Sequence, residues 1–214
     1  MSGYRAVVVD FGGVLTTPLQ EAMFRFAQEA GIEPEHLARA ALGGYLGSED
    51  SLVFGFETGR IAQDDFTKAF AERLREESGV ELDPESLIAR LFGGLELEES
   101  MFTAVERARD QGLKTGLLSN SWGTSLYPRD RIDPIFDVVV ISGEVGLRKP
   151  DPAIFELTTE RLGVPAQACV FVDDHPGHLS SAAEAGMATV LHRDPARTIA
   201  ELESLLGLSL SGSS

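Results

Sequence analysis

Short apolar runs alternate with helical patterns over the second half of the chain, and this alternation constrains the fold more than any other feature. Runs such as Lys114–Leu118, Cys169–Val172 and Ala188–Leu191 have the length of single strands and few polar positions. Strands that are buried on both faces have this composition. Because helical segments separate these runs, the pattern favours parallel strands covered by helices. We therefore predict an α/β fold with a Rossmann-like, doubly wound parallel sheet.

A long helical stretch interrupts this pattern after the first apolar run, Arg5–Asp10. From Leu19 to Phe92 the apolar residues keep helical spacing, and Asp83-Pro84 is typical of a helix start. No convincing strand pattern occurs there, which predicts an inserted all-helical cap. We expect the α/β core to comprise residues 1–17 and 95–208, the cap residues 18–94, and a disordered tail residues 209–214.

The overall charge and composition exclude several classes of partner. The chain has 214 residues, 43% of them hydrophobic, and a formal net charge of -16. Such acidity disfavours nucleic acid and anionic membranes as partners. The sequence contains no run of about 18 apolar residues, no secretory signal pattern, and a single cysteine, Cys169. We expect a cytoplasmic protein without internal disulfides.

Polar residues stand where several of the predicted strands end. Asp10 follows the first strand, Ser119-Asn120 the second, and Asp173-Asp174 a later one, while Lys149 precedes a helix that Asp151-Pro152 opens. Ligands of open α/β sheets collect at the carboxyl ends of the strands. Each piece alone is common in turns and helix starts, but together they predict a site.

In this order, the pieces resemble the four motifs of the haloacid dehalogenase-like hydrolase superfamily. The resemblance covers nearly the whole chain and implies a cap inserted just after the first motif. The sequences that carry it are Asp10-Phe-Gly-Gly-Val-Leu15, Leu118-Ser-Asn120, Gly146-Leu-Arg-Lys149-Pro-Asp-Pro-Ala-Ile-Phe155, Val172-Asp-Asp174 and Ala182-Ala-Glu-Ala-Gly186.

The resemblance implies a phosphatase that acts on a small phosphorylated metabolite, such as a sugar phosphate. Asp10 would be the nucleophile and form an aspartyl-phosphate. Lys149 would neutralise Asp10 and the transferred phosphoryl group, and Ser119 would donate a hydrogen bond to a phosphate oxygen. The residues expected to border the substrate are Gly12, Gly13, Asn120 and Trp122; Trp122 could equally pack between core and cap.

The family pattern also implies a Mg²⁺ site, because carboxylate, carbonyl and water oxygens suit this hard cation. Its ligands would be the side chains of Asp10 and Asp174 and the backbone carbonyl of Gly12. Asp173 would join this shell or hold a metal-bound water. His175 and His178 could also bind zinc, but histidines at such positions more often only line a loop. From there, His178 could orient Asp174 through a hydrogen bond.

One departure from the family pattern concerns Gly12. Most phosphatases of this family carry an aspartate there as general acid and base, and losing such a group typically costs about 10²–10⁴ in rate. Two alternatives therefore stay open. A haloacid dehalogenase tolerates this loss but lacks the acidic pair Asp173-Asp174. A catalytically idle member would bind a phosphorylated ligand or a protein. In the cap, Tyr45 could face the substrate or serve in packing.

Overall fold

The computed structural model describes residues 3–42 and 52–211. Tyr45 therefore lies outside the described residues. Their centre is a five-stranded parallel sheet with the order β3-β2-β1-β4-β5. The predicted α/β class and parallel sheet are confirmed. The strands are β1 (Ala6–Val9), β2 (Lys114–Ser119), β3 (Val138–Ile141), β4 (Cys169–Asp173) and β5 (Ala188–Leu191).

The strand order makes β1 the topological switch point of the sheet. The chain adds β2 and β3 on one side of β1, and β4 and β5 on the other. Val9 pairs with Leu117 on one side and with Val172 on the other, so three strand ends lie level. Open α/β sheets bind ligands at such a point. The sheet therefore brings Asp10, Ser119 and Asp173 to one edge.

Residues 19–92 form helices joined by short turns and contain no strand in their described part, as predicted. These helices share an apolar cluster that includes the buried side chains of Phe26, Phe66 and Phe70. Apolar residues at helical spacing form one face of each helix, and burying these faces together stabilises the cap. The helices are α1 (Leu19–Ala30), α2 (Pro34–Leu42), α3 (Leu52–Glu57), α4 (Gln63–Ser78) and α5 (Pro84–Phe92).

The chain enters and leaves the cap through two short segments that pair with each other. Thr16 and Leu97 form an antiparallel bridge. The amide of Thr17 donates to the carbonyl of Glu96 at 2.9 Å. The cap is thus tied at its base, close to the loop that follows Asp10. The residue boundaries between core and cap, 17/18 and 94/95, stay predictions.

Further helices cover both faces of the sheet. The expected helix starts at Asp83 and Asp151 are confirmed, and Asp194 caps a further helix: each side chain accepts a hydrogen bond from a backbone amide in the first turn of its helix. No helix among residues 3–42 and 52–211 combines the length and apolar character needed to cross a membrane. The remaining helices are α6 (Glu99–Asp110), α7 (Arg129–Ile132), α8 (Ser142–Val145), α9 (Pro152–Leu162), α10 (Pro176–Glu184) and α11 (Pro195–Leu206).

The first residues of the predicted disordered tail are attached to the core, which corrects that prediction for residues 209–211. Leu210 is buried among the sheet-covering helices. The amides of Leu210 and Ser211 both donate to Glu203 Oε1 at 2.7 Å. Gln111 Nε2 donates to the carbonyl of Ser209 at 2.9 Å. Burial of one leucine and satisfaction of these polar groups offset the entropy of ordering the segment.

Candidate active site

Asp10 lies at the carboxyl end of the central strand. Its amide donates to the carbonyl of Val172 at 2.9 Å, which continues the β1–β4 ladder by one residue. Its side chain then turns into the edge of the sheet, where Oδ1 accepts a hydrogen bond from the amide of Phe11 at 2.7 Å. Only 7% of Asp10 is exposed. The carboxylate is thus held in one orientation and largely shielded from water.

Lys149 brings a fully buried positive charge to this carboxylate. Its Nζ lies 3.0 Å from Asp10 Oδ1 and 2.6 Å from Asp173 Oδ2. A buried ammonium is tolerated only when it is paired, and two carboxylates meet that requirement here. They also raise the pKa of Lys149 above its ordinary value although burial works to lower it. Lys149 therefore stays charged.

Asn120 fixes the backbone of Lys149. Its Nδ2 donates to the carbonyl of Lys149 at 2.9 Å, and its Oδ1 accepts from the amide of Lys149 at 2.8 Å. Both ends of the amide side chain are therefore engaged with a neighbouring loop. These bonds position Lys149; Asn120 also lines the cleft described below, and its predicted contact with substrate stays a prediction.

Ser119 ends β2, and it receives a hydrogen bond that the sequence did not reveal. The hydroxyl of Tyr127 donates to Ser119 Oγ at 2.9 Å, and both side chains are buried. Within the described part of the chain, the contact that the hydroxyl of Ser119 makes as a donor is a long one, 3.4 Å to the carbonyl of Asn120. Tyr127 thus orients Ser119 so that its proton can turn to a ligand.

The side chain of Asp173 is occupied by contacts with other residues of the chain. Besides Lys149, it contacts the amide of His175 at 2.8 Å and His178 Nδ1 at 3.1 Å. Burial works to raise the pKa of Asp173, but Lys149 and His178 hold it well below its usual range. Burial lowers the pKa of His178, so its neutral ring donates from Nδ1 to this carboxylate. The hydrogen bond from His178 to Asp174 that the sequence suggested was assigned to the wrong aspartate.

Asp174 reaches the first motif because Gly13 has no side chain. A Cβ on Gly13 would lie 2.5 Å from Asp174 Oδ2, and Gly13 has a φ of 76°. Both facts favour glycine at this position. Asp174 is therefore packed directly against the loop that carries Asp10 and Gly12.

The site has more negative than positive charge. Burial raises the pKa of Asp10 to about 7; Lys149 opposes this shift, while Asp173 and Asp174 add to it. The pKa of Asp174 is raised by burial and by Asp173. Three carboxylates thus share one ammonium, which is an arrangement that favours a bound cation.

The predicted metal ligands differ in part from the group of possible ligand atoms that lie together in the structure. Side-chain atoms of Asp10, Asp173 and His178 lie within 4.8 Å of one another. Asp173 and His178, however, already bind each other, and Asp173 also binds Lys149. His175 Nδ1 accepts a hydrogen bond from the amide of Gly177 and so caps the start of α10. His175 is not part of the cluster of Asp10, Asp173 and His178. We therefore favour Asp174 over Asp173 and His178 as the partner of Asp10 in holding a cation.

A cleft of ≈ 250 Å³ opens beside the loop after Asp10. Trp122 borders this cleft and also meets the cap phenylalanines Phe66, Phe70 and Phe92 at ring-centroid distances of 5.6–6.3 Å. Trp122 thus packs between core and cap, while its predicted contact with substrate stays a prediction. The residues that line the cleft are Phe11, Gly12, Thr16, Leu19, Phe92, Leu95, Leu97, Ser119, Asn120, Trp122, Leu126, Tyr127 and Pro128.

A second ion pair beside the site was not foreseen. Arg148 precedes Lys149, and its Nε lies 2.7 Å from Oε2 of Glu57, the last residue of α3. Both side chains are buried, and the guanidinium lies 3.8 Å above the ring of Phe54. Charged residues are rarely buried, so neither position carried a signal in the sequence.

The sequence matches the haloacid dehalogenase-like hydrolase family over residues 4–186. This span is more than half of the chain. The chain therefore belongs to the haloacid dehalogenase-like hydrolases, as its motifs predicted.

Individual relatives include phosphatases and longer proteins. The chain is 32% identical to phosphatase MT3486 of Mycobacterium tuberculosis over 87% of this chain and 86% of that protein. It is 30% identical to bifunctional epoxide hydrolase 2 of Sus scrofa over 96% of this chain. The chain spans only 39% of the length of that protein.

Solved structures support the same fold. A predicted HAD-like family hydrolase from Porphyromonas gingivalis has a TM-score of 0.71 and 25% identity, covering 96% of this chain and 98% of that one. The HAD family enzyme bt-2542 of Bacteroides thetaiotaomicron, in complex with magnesium and inorganic phosphate, has a TM-score of 0.62 and 21% identity, covering 89% and 94%.

Proposed function

We propose that this hydrolase is a Mg²⁺-dependent phosphatase that transfers the phosphoryl group of a small monoester to Asp10. The observation that carries the proposal is the buried carboxylate of Asp10, held by Lys149 at the end of the central strand beside a cleft. The similarity to a phosphatase along nearly its full length supports the same reaction class.

In the first step, a carboxylate oxygen of Asp10 forms a bond to phosphorus as the bond from phosphorus to the alcohol oxygen breaks. The alcohol leaves after taking a proton from water, because Gly12 offers no acid. Ser119 donates to a phosphate oxygen, and Lys149 offsets the charge on Asp10. Water then attacks phosphorus and loses a proton to solvent as the bond from phosphorus to the Asp10 oxygen breaks, which releases inorganic phosphate and restores the carboxylate of Asp10.

The residues present suit Mg²⁺. Asp10, Asp174 and the carbonyl of Gly12 would hold it, all through oxygen atoms. When bound, it supplies positive charge against the carboxylates and the phosphate. The packing of the Asp174 carboxylate against the loop that carries Asp10 and Gly12 is the observation that fits such a cation, and burial raises the pKa of both carboxyl groups in the same direction. Asp173, which directly precedes Asp174, binds Lys149 and His178 and holds them in place.

Hydrolysis of p-nitrophenyl phosphate, measured with Mg²⁺ and with EDTA, tests this proposal. We expect turnover that EDTA abolishes and that Asp10→Asn removes almost completely while the protein stays folded, because Asp173 still pairs with Lys149. Asp110→Asn changes an exposed aspartate at the end of α6 and should retain full turnover. Asp174→Ala should require more Mg²⁺ for half-maximal turnover. Unchanged turnover in Asp10→Asn would rule out the covalent mechanism.

The same preparation separates the alternatives. Release of halide from a 2-haloacid in EDTA would favour a dehalogenase, although the acidic pair Asp173-Asp174 counts against that reaction. Binding of phosphate without turnover of any ester would favour an idle member. Gly12 is the residue that keeps this last alternative open.

A further inference from the structure

The cleft beside Asp10 is largely apolar. Its walls come from both core and cap and include Leu19, Phe92, Leu95, Leu97, Trp122 and Leu126. No charged side chain occurs among the described residues that line it. Its volume of ≈ 250 Å³ is slightly below the range of about 300–1,000 Å³ that is usual for small-molecule pockets. The cleft therefore suits a compact group.

Three polar side chains in the wall of the cleft, those of Thr16, Asn120 and Tyr127, already have partners, while Ser119 is the proposed donor to the phosphate. Thr16 Oγ1 accepts from the amide of Gly13 at 3.1 Å and donates to the carbonyl of Thr17 at 2.9 Å. Asn120 uses both ends of its amide on Lys149. Tyr127 donates its proton to Ser119. These side chains would have to give up existing hydrogen bonds before they could serve another polar group.

This arrangement discriminates between two kinds of alcohol. A sugar carries a hydroxyl on most of its carbons, and each hydroxyl left without a partner in an apolar wall costs about tenfold or more in affinity. An alkyl or aromatic group needs no partner and gains about fourfold in affinity for each methylene that it buries. The lining therefore penalises sugars and rewards apolar groups.

We infer that the substrate is the phosphate monoester of a compact apolar alcohol, whose alkyl or aromatic part fills the cleft while its phosphate meets Asp10. This inference rests on the proposed phosphatase function, and it narrows the predicted class of small phosphorylated metabolites away from sugar phosphates.

Binding of non-hydrolysable phosphonates tests the inference independently of catalysis. Calorimetry in Mg²⁺ with methyl-, butyl- and hexylphosphonate should show a dissociation constant that falls about fourfold per methylene until the cleft is full. Affinity that does not depend on chain length would overturn the inference, even if p-nitrophenyl phosphate is hydrolysed. A rise in affinity without turnover of any ester would refute the phosphatase and, with it, the substrate, while upholding only the preference of the cleft for apolar groups.

Two leucine variants locate the effect. Leu95 is half-buried in the cleft wall, so Leu95→Gln should flatten the dependence on chain length. Leu157 is half-buried on α9, outside the residues that line the cleft, so Leu157→Gln should leave the dependence unchanged. Equal effects in both variants would count against the cleft as the binding site. In the active enzyme, kcat/KM for hexyl phosphate should exceed that for glucose 6-phosphate by about 10²-fold or more, and a preference for the sugar would overturn the inference.

Discussion

The buried pair Arg148–Glu57 connects cap and core, and removing one partner should strongly destabilise the protein. Nε and Oε2 are 2.7 Å apart, and the side chains are 5% and 1% exposed. Loss of one partner from a buried ion pair typically costs about 3–5 kcal/mol, because the other charge remains buried. Glu57→Gln should fall in this range, since it leaves the guanidinium over Phe54 without its counter-charge.

Replacing both partners should cost less than the sum of the single changes. An apolar or neutral pair avoids the desolvation of two charges, so buried ion pairs are often replaced at little cost. For Glu57→Gln, Arg148→Met and the double variant, we expect a coupling energy of about 2–3 kcal/mol in a double-mutant cycle. Urea unfolding measures the free energies, and the slope with urea should stay constant if folding remains two-state.

A surface pair provides the matched control. Arg39 and Glu77 join the same atom types at 2.9 Å, but their side chains are 54% and 35% exposed. Glu77→Gln should therefore change the free energy of unfolding by no more than about 0.5–1 kcal/mol. The reasoning fails if Glu57→Gln costs as little as Glu77→Gln, or if the two changes at the buried pair are additive.

Three further outcomes are expected. Lys149→Met should lower kcat about 10²–10³-fold. Lys149→Arg should not restore kcat, because a guanidinium cannot replace a compact ammonium in a fully buried site. Full activity in Lys149→Met would refute the role assigned to Lys149. Stopped-flow mixing with p-nitrophenyl phosphate should show a burst near one equivalent, because Gly12 provides no base for the second step. Gly12→Asp should shrink the burst only when it is combined with Leu19→Ala, because a Cβ at Gly12 would lie 2.9 Å from Leu19 Cδ1. Release of p-nitrophenolate that is linear from the first turnover would show that another base already acts. Asp137→Asn should cost about 1 kcal/mol near neutral pH in urea titrations. Partial burial works to raise the pKa of Asp137, but hydrogen bonds from the backbone of Thr115 and from Lys114 lower it. The contribution of Asp137 to the free energy of unfolding is therefore present above pH 3.8 and is lost as the pH falls further. A cost that is the same at pH 3 and pH 6 would contradict this assignment.

The strands and the motif positions could be predicted because the sheet leaves a local record in the sequence. A parallel strand that is buried on both faces is apolar along its whole length, as in Ala6–Val9 and Cys169–Val172. Where such a run stops, the next polar residue lies at the carboxyl edge of the sheet. Asp10, Ser119 and Asp173 were found in this way.

The partners of the site residues could not be predicted, because they depend on contacts between distant segments. Nothing in the sequence links Tyr127 to Ser119, or Asn120 to the backbone of Lys149. The same holds for the end of the chain, where Glu203 holds Leu210. A serine-rich end is usually frayed, but the buried leucine within it outweighs that tendency over residues 209–211.

The charges of the site bear on the inference that an apolar alcohol fills the cleft. Lys149 is shared by Asp10 and Asp173, so its charge is already balanced before a phosphate arrives. The net charge of -16 also opposes the approach of an anion. In the proposed phosphatase reaction, a bound cation and hydrogen-bond donors would therefore have to hold the phosphate end of the substrate. Burial of an apolar alcohol adds binding energy that no charge opposes, so the cleft can raise affinity where the carboxylates alone would repel the substrate.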